Sequence, residues 1–142
     1  MGNNITPNIS LGIKKKSFTI DGDENRVIYI DPTDMGIIGR MEAFSADIDP
    51  LLKSLKDVGE DGLVAKISEV DGILREKINQ AFDYDVCSVC VPCGTMLDAV
   101  DGKFKFEIVV DALSQVYVDN ISSEMQKVTA RMAEHTKKYV HK

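Results

Sequence analysis

Basic residues are in deficit: Lys and Arg total 17 against 23 Asp and Glu, a formal net charge of −6. Proteins that coat a nucleic-acid duplex carry the opposite sign, so a nucleic-acid partner held by bulk charge is not expected. No apolar run comes near the roughly 18 residues that a membrane-spanning helix needs, so no membrane is expected either. Residues 1–10 are polar and lack the apolar stretch of a secretory signal. Glycine (10) and proline (4) are too few for a low-complexity chain. What is present is ordinary: 142 residues, 44% hydrophobic and 28% charged, which is one domain's length and enough apolar matter for one core.

Residues 1–16 read as a flexible lead, polar at first and then basic at Lys14, Lys15 and Lys16. Residues 17–142 read as a single helix-rich domain. Residues 17–20 (SFTI) and 26–30 (RVIYI) are β-branched and aromatic, and the turn-forming run DGDEN lies between them, which predicts a β-hairpin over 17–30. Phe18 and Ile20 share one face, as do Ile28 and Ile30. A partial match of Asp21, Asp23 and Asn25 to a calcium loop fails at Arg26 and Pro32, where Gly and Glu belong.

Asp31 is placed to cap a helix with Pro32 at its first position. Met35, Ile38, Met41, Phe44, Ile48, Leu51, Leu55 and Val58 then recur at helical steps, with Pro50 predicting a kink or a second start. A turn at residues 59–62 leads to a second helix over 63–82, with Val64, Ile67, Val70, Leu74, Ile78 and Ala81 on its apolar face. Residues 83–101 are the least regular. From Phe104 the pattern is helical to the end, about 50 Å of helix, which is long for a domain this size. The fold class is therefore mainly α: a helical bundle with an N-terminal β-hairpin and a long C-terminal helix.

Cys87, Cys90 and Cys93 have a spacing that can cup a metal. No fourth ligand is near, the spacers include Val89 and Val91, and His135 and His141 are distant in sequence. The expectation is small buried hydrophobes, with no metal and no cofactor. His135 has no local nucleophile beside it. Gly36 and Gly39 do not form a phosphate loop and are expected to allow close helix packing. Met41, Met125 and Met132 suit a core or an adaptable partner surface. The distal stripe Ile121, Met125, Val128, Met132 and Tyr139 is the candidate partner-binding surface, flanked by Lys127, Arg131, Lys137, Lys138 and Lys142.

Three stretches together carry a resemblance: FTIDGDENRVIYIDPTD at 18–34, the helix over 73–82 leading into the 83–94 connection, and the long helix over 104–139 with its basic end. This order resembles tail assembly chaperones of phages and prophages of Gram-positive bacteria. In the connection the resemblance implies an aromatic–Gly pair, where this chain has Phe82-Asp83. It further implies a non-enzymatic protein in the bacterial host cytoplasm that homo-oligomerises and binds phage tail proteins, namely the tape-measure protein and tail-tube subunits. The alternatives are a minor structural or host-defence-antagonist phage protein, and a small metal-dependent enzyme or sensor built on the cysteines.

Overall fold

The computed structural model describes residues 6–140, with side chains up to residue 134. Its elements are β1 (Lys16–Ile20), β2 (Asp23–Ile30), α1 (Gly36–Lys56), α2 (Glu60–Phe82), α3 (Val86–Cys90), β3 (Ala99–Val100), β4 (Lys103–Phe104) and α4 (Lys105–Val140). The class is mainly α, with an N-terminal hairpin and a long C-terminal helix. No helix among the described residues is long and apolar enough to cross a membrane.

The hairpin differs from its reading in one respect. Its turn is only Asp21-Gly22, with φ of +52° and +72°. Positive φ at both central residues is what a tight two-residue hairpin turn requires. Asp23, Glu24 and Asn25 belong to β2, and the register slips between Thr19 (opposite Val27) and Ile20 (opposite Asp23). The slip bulges the strand around Arg26 and turns that side chain toward α3. Ile28 and Ile30 face the core together, as alternation dictates.

The first helix starts later than Asp31-Pro32 suggests. Asp31 Oδ1 accepts from the Thr33 N–H (3.1 Å) and hydroxyl (2.7 Å), and Asp34 Oδ1 accepts from Gly36 N–H (2.9 Å). Two side-chain turns therefore occupy residues 31–36, with Pro32 fully buried beneath them. The delayed start shifts the inward face to Ile37, while Met35 and Ile38 are exposed. Pro50 lies inside one continuous α1. Gly39 has nothing near it, and a Cβ on Gly36 would meet the Arg40 guanidinium at 2.6 Å. Gly36 thus makes room for an ion pair, and neither glycine mediates helix packing.

α1 and α2 run antiparallel. Arg40 Nε donates to Ala81 O (2.7 Å) near one end, and Lys77 pairs with Asp47 (3.0 Å) further along. Val70, Leu74, Ile78, Ala81 and Phe82 form the buried face of α2. Val64 is 82% exposed. Two successive three-residue steps from Val64 to Val70 each fall about 60° short of a full turn, which rotates Val64 off that face. α2 ends on Asp83 at φ +52°, the left-handed conformation glycine adopts most easily, with Tyr84 N–H donating to Asn79 O. Phe106, Val110, Leu113 and Tyr117 of α4 close the core, and Tyr117 stacks on Phe82 with ring centroids 6.1 Å apart.

Leu74 is fully buried in that core. Leu74→Ala should cost about 2–5 kcal/mol in urea unfolding; a loss well under 1 kcal/mol would show that the packing is wrong.

Asp34 supplies a pH signature. The Arg40 hydrogen bond (2.6 Å) holds its carboxyl below the usual carboxylate range, burial opposes this, and the Gly36 N–H adds to the lowering. A depressed carboxylate stabilises the fold fully above its unfolded pKa, and that contribution fades as pH falls through the lower folded value. Asp34→Asn should therefore lower Tm near neutral pH, with the gap to the parent closing below about pH 4. A gap unchanged down to pH 2.5 would contradict this.

Candidate partner-binding surface

α4 has 36 residues, about 54 Å of helix, and among its described side chains the body packs against those of the first part. Phe106, Val110, Leu113 and Tyr117 are in the core, and half-buried Ile121 is the last described α4 residue packed against it. Beyond it, residues 122–134 are exposed all round except for half-buried Val128. Met125 is 44% exposed and Met132 is 59% exposed. The structure thus places Ile121, Met125, Val128 and Met132 on one stripe that leaves the body at Ile121. The side chain of Tyr139, the fifth residue of the predicted stripe, lies outside the described residues, as does that of His135. Met41 sits against the core, whereas Met125 and Met132 do not.

The stripe leads back into a groove of about 580 Å³ between α1 and α4, lined by Ile38, Met41, Val118 and Ile121 among others. Ser114, also on that groove, has a buried hydroxyl with no hydrogen-bond partner among the described residues. Lys16 Nζ donates to Asn120 Oδ1 (2.8 Å), so the start of the hairpin anchors α4 where it leaves the body.

The cysteine segment is built differently from its expectation. Cys87 is buried, Cys90 half-buried and Cys93 exposed, so only one of the three is a core hydrophobe. Two arginines decide this. Arg75, paired with Asp71 (3.0 Å), donates to the carbonyls of Cys87 (3.4 Å), Val91 (3.1 Å) and Gly94 (3.1 Å). Arg26 donates to Val89 O (2.9 Å) and to Cys90 O. Asn79 accepts from Cys87 N–H (3.1 Å) and donates to Asp85 (2.9 Å), which caps α3 at Ser88. A guanidinium offers five donors in a rigid fork, enough to hold several loop carbonyls at once. The i,i+4 spacing of Asp71 and Arg75 was the only sequence signal for this staple.

Burial pushes the Cys87 thiol up to about 12, against the pull of Arg75, and the Cys90 thiol up to about 11, against the pull of Arg26. Both are protonated thiols at neutral pH, and a thiol in that state is a poor nucleophile and metal ligand. Among the described residues, no group of three or more His, Cys, Asp or Glu is placed to hold a metal ion. No family model, curated protein or solved structure matches the chain.

Alkylation at pH 8 followed by peptide mass spectrometry should modify Cys93 first, Cys90 slowly and Cys87 only on unfolding. Arg75→Ala should release three loop carbonyls and speed Cys87 labelling by about tenfold or more, through local opening. Equal rates at all three cysteines in the parent protein would contradict the described burial.

Proposed function

We propose that this protein is a non-enzymatic binding protein that holds an apolar helical client along the distal half of α4, in the manner of a phage tail assembly chaperone acting on the tape-measure and tail-tube proteins in the bacterial host cytoplasm. The observation that carries the reading is the continued stripe: Met125, Val128 and Met132 extend the amphipathic pattern of α4 past Ile121, with Met125 and Met132 exposed. Exposed apolar stripes of this kind mark partner sites. An amphipathic helix docks by laying such a stripe against another helix or groove, and methionine adapts to varied partners. Lys127 and Arg131 beside the stripe keep its surroundings charged and favour an acidic client. The resemblance of the hairpin, connection and basic-ended helix to tail assembly chaperones supplies the client class.

The test is co-expression with a phage tape-measure protein. The full chain should keep that client soluble and co-purify with it. A chain ending at Asn120 should retain the circular dichroism of its remaining helices yet hold about tenfold less client, the effect of losing roughly 1.4 kcal/mol of contact. Equal client recovery with the truncated chain would overturn the reading. Presence of the protein in purified virions at structural stoichiometry would instead favour a minor structural component.

A further inference from the structure

Ile121, Met125, Val128 and Met132 step by four, three and four, which is the alternation of d and a positions in a heptad. Val118, 56% exposed, is the preceding a position. This frame puts Glu124 and Arg131 on one flank of the seam, at g, and Ser122 and Thr129 on the other, at e. All four flanking residues are exposed.

We infer that the distal half of α4 pairs with the same segment of a second copy of this chain, antiparallel, as a short two-helix coiled coil. Charge complementarity selects both occupant and orientation. With Met125 opposite the second copy's Val128, Ile121 falls opposite Met132, and Glu124 of each copy falls opposite Arg131 of the other. The contact is two-fold symmetric, so both ion pairs form at once. In the parallel arrangement Glu124 would face Thr129, Arg131 would find no acid, and Met125 would stack on its own copy. Ser122 and Thr129 are small, so the helices approach closely on the second flank. The ion pair Glu124 already has, with Lys127 at 3.4 Å, is exposed and weak, and it leaves the seam open. The seam also runs unbroken from Ile121 into the groove beside Val118, Ile38 and Met41, which extends the surface a second helix can cover.

This pairing concerns the protein alone and does not rest on the identity of the client. A client for the same stripe would compete with the second copy.

The experiment is sedimentation velocity on the full chain over a concentration series, with circular dichroism as a fold control. The parent should dimerise, and Met125→Glu should be a folded monomer. Glu124→Arg and Arg131→Glu should each weaken the dimer by about tenfold, because each places like charges opposite one another twice. An equimolar mixture of these two variants should restore dimerisation, since every flanking pair across the mixed dimer is then of opposite sign. A parent that stays monomeric throughout would overturn the pairing. A dimer in which mixing brings no recovery would overturn the antiparallel register. Failure of the client test above leaves these outcomes unaffected.

Discussion

The structure turns on a mismatch of lengths. α4 is 36 residues long, and among its described side chains Ile121 is the last packed on the body made by the hairpin, α1 and α2. Up to that point the helix is ordinary core: Phe106, Val110, Leu113 and Tyr117 pack inward and Tyr117 stacks on Phe82. Past it the apolar pattern continues on exposed helix, at Met125 and Met132. A helix gains most of its stability from packing an amphipathic face, and an exposed continuation of such a face is where a partner would pack. Both the proposed client binding and the proposed antiparallel pairing start from that one geometric feature.

The body that presents α4 has little sheet to stiffen it. Three arginines do the joining. Arg40 ties the start of α1 to the end of α2, Arg75 gathers the carbonyls of the cysteine loop onto α2, and Arg26 ties that loop to the hairpin. Each supplies partners to carbonyls in part-buried positions, where an unsatisfied polar group is expensive. The same arrangement buries Cys87 and leaves Cys93 outside, so the three cysteines have three environments despite their regular spacing.

Periodicity made the large elements legible. The hairpin, the α1–α2 pair and the long α4 all follow from alternation or helical stepping of apolar residues, because burial enforces those patterns. Boundaries were harder where side chains compete for the backbone. Asp31 and Asp34 satisfy N–H groups in turns, which delays α1 to Gly36, and the Asp21-Gly22 turn is tighter than the run of five turn-formers suggests. The stripe from Ile121 to Met132 was readable because its stepping is regular. The helix's length argued that the body could not cover all of it, but the point where cover ends was not readable, since that depends on how far the body reaches. The arginine staples were barely readable: apart from the i,i+4 spacing of Asp71 and Arg75, their partners are backbone carbonyls, which carry no sequence signal.

The most direct measurement of the central claim is hydrogen exchange along α4. In dilute protein, amides of residues 106–117 should be strongly protected, and those of residues 122–134 should exchange orders of magnitude faster. Raising the protein concentration, or adding a helical tape-measure segment, should slow exchange over 122–134 and leave 106–117 unchanged. Equal protection of both halves at the lowest concentration would mean that the distal stripe is covered by its own body, and the account would fail.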